Sequence, residues 1–466
     1  MSTPVRVVVR VRPILSSKGE LSKGVNEYVQ VDTSKQTLTN GFGPRSKTNT
    51  YSSTFGASTS QADFFAAVGE PALNDLWEGM NSTILAYGPA GSGKRFTTFG
   101  GATTTEQGLI PRIAQQLFER LVASTAAGDG SYKVEFSFFE SYCENCNDLL
   151  KPSGRNLNVS YINNVGYHVN TLTRCPITTY AQLNQLLEGA LTARAVSAIS
   201  TNTDTTQSHT FFQLVLTRTS VDKKTMKAIE TTSTLLIADL GDAGGGQAER
   251  AAMSAGMNDS PGDSHAAFRQ AVTYLLHNKM HSNNKNKDDE VDDNTNVEKN
   301  NIFQQSQLTK ILRNSMNGNC KTTLLVVLPP TDIDQDVTQA TIQFTNQFKK
   351  LKTKIISNID GSKKQIENLK NEINALKKNL AGTSSSSEKM KYERIQSDIG
   401  IANNLLEILM ADWNTRATTT IKVRGVLKRK KYGKIFNFCK LLILFFFQFS
   451  IMLSLLYINY LYINFI

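Results

Sequence analysis

A glycine-rich stretch early in the chain has the residue types that bind phosphate groups. An apolar, β-type run at residues 83–87 leads into Gly88-Pro-Ala-Gly-Ser-Gly-Lys94, and residues 95–99 can begin a helix. In this strand–loop–helix setting, glycines let backbone N–H groups approach phosphate oxygens, and the lysine reaches the β- and γ-phosphates. The stretch therefore predicts a phosphate-binding loop, or P-loop.

One position departs from this motif. The residue after the lysine is ordinarily Ser or Thr, whose hydroxyl binds magnesium, and here it is Arg95. Two interpretations stay open. Either the guanidinium takes the place of the metal and pairs with phosphate oxygens, or it turns outward to solvent and leaves a weakened magnesium site.

An acidic residue follows a second apolar run. Residues 231–238 read as a buried strand, and Asp239 stands at its carboxyl end. That is where P-loop enzymes place a metal-associated aspartate. An aspartate that only caps the end of the strand is the alternative.

Composition limits the classes of partner. The 466 residues carry a net charge of +11, but residues 421–466 hold eight Lys or Arg and no acid, so 43 basic and 40 acidic residues precede them. The charge thus gives no reason to expect a nucleic-acid partner. Five scattered cysteines favour a reducing compartment, and residues 1–5 lack the apolar segment of a signal peptide. We expect a cytoplasmic protein.

Strand-type and helix-type segments alternate along the first three quarters of the chain. Strands are predicted at residues 5–13, 132–142, 165–172, 210–219 and 231–239, and helices at 61–79, 108–121 and 179–198. This alternation predicts an α/β fold of the P-loop NTPase type. Its central, mainly parallel sheet has helices on both faces and its ligand at the carboxyl ends of the strands.

A series of motifs carries a family resemblance. Their order is Val-Arg-Val-Arg-Pro, Ala-Tyr-Gly-x-x-Gly-Ser-Gly-Lys, Ser-His-x-x-Phe, Asp-Leu-Gly, and Leu-Thr-Lys-Ile-Leu followed by Gly-Asn-Cys-Lys-Thr. Over residues 3–355 the chain resembles the motor domain of the kinesin family. The resemblance implies ATP or ADP as cofactor, microtubules as partner, and a place on the microtubule cytoskeleton.

The resemblance also implies roles for single residues. Arg10, Arg12 and Pro13 would frame the adenine, and Phe96 would stack on the base. Asn202, with Thr205 and Thr206, would form the first switch. The implied nucleotide-binding residues are Arg10, Arg12, Pro13, Gly88, Pro89, Ala90, Gly91, Ser92, Gly93, Lys94, Arg95, Phe96 and Asn202.

The implied catalytic residues are Thr205, Thr206 and Asp239, of which Thr206 and Asp239 would serve the metal. Departures from the family pattern lie close by. Gln207 stands where the family has an arginine, and Gly244 where it has that arginine's partner glutamate. Asp242 replaces a glycine that senses γ-phosphate, and its carboxylate would repel that group. We therefore expect nucleotide binding with impaired hydrolysis, and leave magnesium binding open.

The segment that resembles the family's microtubule-binding side is also altered. Lys310 and Arg313 are kept as candidate contacts, but Gln304 and Gln307 replace two cations. Just before this segment, residues 281–300 form an acidic, Asn-rich insertion with six acids and three lysines. Because the partner surface is acidic, this insertion would weaken the contact.

The rest of the chain divides into short segments. We assign residues 1–355 to the motor domain, 356–381 to a neck linker and short coiled coil, and 388–416 to a second helix. Heptad spacing at 359–380 fits a homodimer seam or a helical hairpin. Residues 421–466 are basic and then hydrophobic, which fits a membrane anchor or translated non-coding sequence.

Three functions remain open from the sequence. The first is a nucleotide-binding, microtubule-associated kinesin with impaired ATP hydrolysis. The second is a fully active ATP-driven microtubule motor. The third is a non-enzymatic structural or regulatory tubulin-binding protein.

Deleting residues 283–300 should tighten binding to microtubules, because it removes the excess of acids that would face an acidic surface. Co-sedimentation with microtubules at several salt concentrations measures this, since salt screens exposed charges. A matched variant in which the six acids become Asn or Gln keeps the length of the loop. Unchanged or weaker binding in both variants would show that the insertion does not face the partner.

Overall fold

The strand that leads into the P-loop lies near the centre of a mixed β-sheet. The computed structural model describes residues 2–358 except 17–18, 22–23, 129, 143, 152, 163–165, 202–206, 222–227, 243–260 and 283–301. The strands are β1 Ser2–Pro4, β2 Arg6–Val11, β3 Val29–Asp32, β4 Thr37–Asn40, β5 Lys47–Thr50, β6 Ser53–Phe55, β7 Ser82–Tyr87, β8 Ser131–Tyr142, β9 Asn145–Asp148, β10 Val159–Ile162, β11 Gly166–Val169, β12 Cys175–Ile177, β13 His209–Val221, β14 Ala228–Asp239, β15 Lys321–Leu328 and β16 Lys352–Lys354. The α-helices are α1 Gln61–Phe64, α2 Glu70–Trp77, α3 Lys94–Thr98, α4 Leu109–Ala126, α5 Tyr180–Thr201, α6 Pro261–Ser282, α7 Gln307–Asn317 and α8 Gln335–Phe348.

The main sheet has the order β12-β8-β13-β14-β7-β15-β2-β6, with β9 paired to β8. From β14 to β6 the neighbouring strands are parallel. On the other side, β14, β13, β8 and β12 pair antiparallel. The predicted α/β fold with a largely parallel centre is therefore confirmed, and long antiparallel strands extend one side of it.

Helices cover both faces of this sheet, as the near-continuous apolar strands require. Successive residues of a strand point to opposite faces. Thus Val7 and Val9 of β2 belong to one buried cluster, with side chains of α6, α7 and α8, whereas Val8 belongs to the other. Helices α2, α4 and α5 supply that second cluster. The P-loop strand is consequently fixed from two sides.

Parallel pairing brings the carboxyl ends of the central strands to one edge. Asp239 at the end of β14 pairs in register with Ala86 of β7, and Val326 of β15 pairs with Tyr87. Residues that follow these strands must therefore emerge side by side. The sheet register thus places Asp239 and the P-loop together.

The helix predicted over residues 61–79 is interrupted. A π-helical turn, Phe65–Gly69, separates α1 from α2. A Cβ atom at Gly69 would lie 2.5 Å from a ring carbon of Phe65. The glycine therefore leaves the space that the ring of Phe65 occupies.

The last described residues are tied to the domain. β16 pairs antiparallel with β1, and the backbone N–H of Asn358 donates to Gly79 O at 2.9 Å. The Asn358 side chain donates to Asn81 Oδ1 at 2.9 Å and to Thr232 O at 2.8 Å. Residues 356–358, predicted to begin the neck linker, therefore lie against the domain.

Several predicted features fall outside the described residues. These are most of the acidic insertion, the heptad segment 359–380, the helix 388–416 and the tail 421–466. Within the described part of the chain, none of the helices has the length and apolar character needed to cross a bilayer.

Replacing Phe268 with alanine should lower the free energy of unfolding by about 3–5 kcal/mol, the usual cost of truncating a buried phenylalanine. Phe268 is fully buried, and its ring lies 5.4 Å from that of Phe344 and 6.0 Å from that of Phe348. Urea unfolding of the full chain, followed by circular dichroism, measures the change. The exposed Val122→Ala on α4 is the control and should alter stability by less than about 0.5 kcal/mol. Equal effects would contradict the packing described above.

Candidate functional site

The P-loop joins β7 to α3 through residues 88–93. A Cβ atom at Gly88 would lie 2.0 Å from the carbonyl oxygen of Val327, so only glycine lets the loop pass this close to β15. Gly93 has φ of 102°, in the left-handed region that glycine adopts without strain. These two glycines set the path of the loop up to the start of α3.

Within the loop, Pro89 is buried and Ala90 is exposed. Ser92 is fully buried, and its hydroxyl has no hydrogen-bond partner among the described residues. The predicted phosphate-binding residues 88–94 therefore form one continuous turn, whose exposed part faces solvent at Ala90 and Gly91.

Lys94 is buried at the base of this turn. Its ammonium donates to Gly88 O at 2.8 Å and to Pro89 O at 2.9 Å. It also forms an ion pair with Asp242, with 2.7 Å between Nζ and Oδ1. Lys94, the lysine predicted to bind phosphate, is thus hydrogen-bonded to carbonyl groups of its own loop and paired with one carboxylate.

Arg95 lies in the first turn of α3. Its guanidinium carbon is 5.6 Å from the centre of the Phe99 ring, and the residue remains exposed. Partial burial nevertheless lowers the pKa of Arg95. The positive charge of Arg194 lowers it further, and the negative charge of Asp239 opposes both effects. Arg95 therefore shares an electrostatic environment with Asp239, the predicted metal aspartate.

Asp239 is half-buried, and its carboxylate lacks full compensation by hydrogen bonds. Its Oδ1 atom has no hydrogen-bond partner among the described residues. Burial raises the pKa of Asp239 to about 6, although Lys94, Arg95 and Arg194 each oppose this rise. The charges of three cations therefore act on the residue that was predicted to hold the metal ion.

The described residues do not fit a magnesium site. Magnesium takes oxygen ligands, usually one or two carboxylates with waters and phosphates. Here a guanidinium replaces the expected hydroxyl at Arg95, which leaves Asp239 as the one predicted metal residue among the described residues. Thr206, the other predicted metal residue, lies outside the described residues.

Two histidines hold the segment between Asp239 and Asp242. The N–H of Gly241 donates to His209 Nδ1 at 2.9 Å, and its carbonyl accepts from His265 Nε2 at 3.0 Å. Burial, with the nearby charge of Lys94, lowers the pKa of His209 to about 3, and burial likewise lowers the pKa of His265. Both rings are therefore neutral. His209 is part of a quoted motif, but nothing in the sequence indicates this role for His265.

A second network, missed by sequence reasoning, flanks the predicted first switch. Arg194 of α5 donates from Nε to Glu140 at 2.8 Å and also bonds Ser208. Ser208 in turn donates to Glu140 at 3.2 Å. These bonds join α5 to the start of β13. The predicted residues Asn202, Thr205 and Thr206 lie between them, outside the described residues.

Arg12 bonds the P-loop, and Arg10 bonds the residues beside it, including Thr97 of α3. Arg10 is buried, which lowers its pKa to about 10, and it donates to Gln61 Oε1 at 2.7 Å. Arg12 donates to Gly91 O at 2.9 Å and to Glu20 Oε2 at 2.8 Å.

On the outer side of the loop, Pro13 is exposed and Phe96 is 42% exposed. The guanidinium of Arg10 lies 5.8 Å from the centre of the Phe96 ring. Pro13 and Phe96 are therefore the predicted adenine contacts that are accessible to a ligand.

The predicted microtubule contacts lie on α7. Lys310 is half-buried. Arg313 is packed against aromatic rings, with 4.7 Å between its guanidinium carbon and the Tyr161 ring centre and 5.6 Å to each of Tyr167 and Phe303. Its position is therefore coupled to the hairpin of β10 and β11.

A sequence model described as the kinesin motor domain matches residues 10–351, well over half of the chain. The chain belongs to the kinesin family. This kinesin is 30% identical over 390 residues to kinesin-like protein KIF1A of Rattus norvegicus. The aligned region covers 80% of this chain and 22% of that protein.

Two further comparisons agree. Kinesin-like protein KIF16B of Homo sapiens is 30% identical over 405 residues, covering 81% of this kinesin and 29% of that protein. A solved structure, titled as that of a fast kinesin, superposes with a TM-score of 0.65 at 26% identity and covers 77% of this chain and 96% of that one. This kinesin spans less than a third of the length of the two curated relatives.

Replacing Arg95 with threonine should make nucleotide binding depend on magnesium. If Arg95 pairs with phosphate oxygens, EDTA will change the affinity of the wild type for ATP by less than about 3-fold. The same chelator will weaken the Arg95→Thr variant about 10- to 100-fold, the range for one lost charge-assisted interaction. Calorimetric titration of the full chain measures both.

Arg120→Thr on α4 is the control for loss of a guanidinium elsewhere and should behave as the wild type. If EDTA abolishes ATP binding by the wild type, Arg95 does not stand in for the metal.

Proposed function

We propose that this kinesin binds adenine nucleotide at its P-loop, attaches to microtubules of the cytoskeleton, and hydrolyses ATP slowly. The observation that carries the proposal is Arg95, which stands immediately after a P-loop of ordinary shape and whose charge acts on Asp239. Family membership supports the nucleotide and the microtubule. The site residues support the limit on hydrolysis.

Nucleotide binding is supported by the loop that precedes α3. The close approach of Gly88 to Val327 and the left-handed Gly93 give the backbone path that phosphate binding requires. Phe96 offers an accessible ring beside the loop. None of these features depends on a metal ion.

Slow hydrolysis is supported by the residues around Asp239. Phosphoryl transfer depends on stabilising the charge that develops on the transferred group, a task usually given to magnesium. Arg95 is a permanent cation in this region, but a guanidinium cannot hold a metal ion. Gln207, which stands where the family has an arginine, is neutral and supplies no positive charge to the developing transition state.

Microtubule attachment is supported by family membership and by α7. The fast kinesin of the superposed structure is described by its title in terms of its interactions with microtubules. Lys310 and Arg313 offer positive charge on α7, and the rings around Arg313 hold its guanidinium in one place. With two glutamines in place of cations nearby, we expect attachment that is weak and sensitive to salt.

A fully active motor is the second candidate, and one observation favours it. The segment after α8 is held on the domain by β1 and by the hydrogen bonds of Asn358. A segment that only linked two domains would not need such bonds. This docking supports the interpretation that the segment attaches to and detaches from the domain. A motor needs such a step, and a static microtubule-binding protein does not.

The test is the rate of ATP turnover by the full chain with and without microtubules, together with co-sedimentation. We expect co-sedimentation at low salt, and turnover with microtubules at least about 100-fold below the usual enzymatic value of about 10 per second. Arg95→Thr combined with Gln207→Arg should raise turnover, because it restores a metal-binding hydroxyl and a cation. Arg120→Thr is again the control.

Turnover near about 10 per second by the wild type would overturn the proposal in favour of the active motor. Failure to co-sediment at any salt concentration would overturn the microtubule part of the proposal. ATP hydrolysis by the wild type and by the double variant should be measured in the same preparation, so that differences in active fraction cancel.

A further inference from the structure

The ammonium of Lys94 has no donor left for a ligand. A lysine has three N–H donors, and those of Lys94 go to Gly88 O, Pro89 O and Asp242 Oδ1. Two of the acceptors are backbone carbonyls of the loop itself. Asp242 is the one side chain among them, and it takes the donor that a phosphate oxygen would otherwise receive.

The backbone before Asp242 is held firmly. Gly241 gives its N–H to His209 and receives a hydrogen bond at its carbonyl from His265, and both imidazoles are buried. His209 is itself bonded to Ser264 at 2.9 Å. The carboxylate of Asp242 is therefore presented to Lys94 by a fixed segment.

The Lys94–Asp242 pair is largely removed from water. The side chain of Lys94 is 7% exposed and that of Asp242 is 15% exposed. Charges in such a place interact more strongly than charges at the surface, and two like charges repel correspondingly. An incoming group with negative charge at Lys94 must displace Asp242 or lie against it.

This constraint acts unequally along a nucleotide. In a P-loop the backbone cradles the α- and β-phosphates, whereas the lysine reaches outward to the β- and γ-phosphates. Asp242 pairs with the side chain of Lys94, and the backbone of residues 88–93 remains available to the α- and β-phosphates. The terminal phosphate of a triphosphate is therefore the group that meets the carboxylate most directly.

The neighbouring acid increases this effect. Burial raises the pKa of Asp239, and the negative charge of Asp242 adds to this rise. The positive charges of Lys94, Arg95 and Arg194 oppose it. The site thus has two carboxylates where a triphosphate would place its most highly charged end.

We propose that Asp242 is a specificity residue, which makes this P-loop select nucleoside diphosphates over triphosphates by occupying Lys94 in place of a terminal phosphate. This rests on the proposed function, in that the P-loop is taken to bind adenine nucleotide. It goes beyond that function because it names the diphosphate as the preferred ligand and one side chain as the reason.

The test compares the affinities of the full chain for ADP and for the non-hydrolysable imido analogue of ATP, by calorimetric titration with and without magnesium. We expect the wild type to bind ADP at least about 10-fold more tightly than the analogue. Asp242→Asn keeps the shape of the side chain and removes its charge. It should improve binding of the analogue about 10- to 100-fold and change ADP binding less than about 3-fold.

Asp242→Gly, which removes the side chain, should act in the same direction and guards against a residual hydrogen bond from asparagine to Lys94. The matched control is Asp75→Asn. Asp75 is similarly buried and pairs with a lysine, Lys321, elsewhere on the sheet. Its replacement should leave the ratio of the two affinities unchanged.

The outcomes separate the two proposals. If the wild type binds ADP and the analogue equally, or if both Asp242 variants keep the wild-type ratio, the role of Asp242 is wrong and nucleotide binding stands. If neither nucleotide binds to the wild type, nucleotide binding itself is wrong, and the selectivity proposal falls with it.

Discussion

The parallel pairing of β7 with β14 and β15 is the constraint on which the site depends. It sets Asp239 level with Ala86 and Val326 level with Tyr87. Because parallel strands end at the same edge, the P-loop, Asp239 and Asp242 must emerge together. A shift of β14 by one residue would turn Asp239 to the other face of the sheet and remove it from the neighbourhood of Lys94.

The electrostatics of the site follow from that arrangement. Lys94, Arg95 and Arg194 all influence Asp239, yet its pKa is raised, because burial outweighs the three cations together. Asp242 is paired directly with Lys94, whereas Asp239 has an unsatisfied oxygen among the described residues. Lys94 of the P-loop is thus paired with the carboxylate of Asp242, and an entering ligand has to compete with that carboxylate.

The surroundings make the site rigid from behind and leave it open in front. Arg12 bonds the loop at Gly91, Arg10 bonds Thr97 of α3, and the two histidines hold Gly241. In front, Arg95 and Phe96 remain exposed. Changes at the exposed positions can therefore alter ligand chemistry without changing the fold. Arg95, which differs from the residue that the family resemblance leads us to expect, is such an exposed position.

The sequence alone determined the P-loop, several of the strands and helices around it, and the kinesin family, but not the central strand β15 or helix α6. Glycine spacing and apolar periodicity are local properties that a chain shows before it folds. Strand direction is different. The antiparallel pairing of β8 with β13 and β12 joins segments that are far apart in the sequence, and their local residue pattern does not show which strands become neighbours.

The tertiary structure alone decided the partners of the charged groups. Asp242 could be predicted to oppose a phosphate, but its bond to Lys94 joins residues 148 positions apart. The role of His265 likewise depends on α6 packing beside the end of β14. Hydrogen bonds and burial of this kind arise only when distant segments meet, and for that reason they leave no pattern in the sequence.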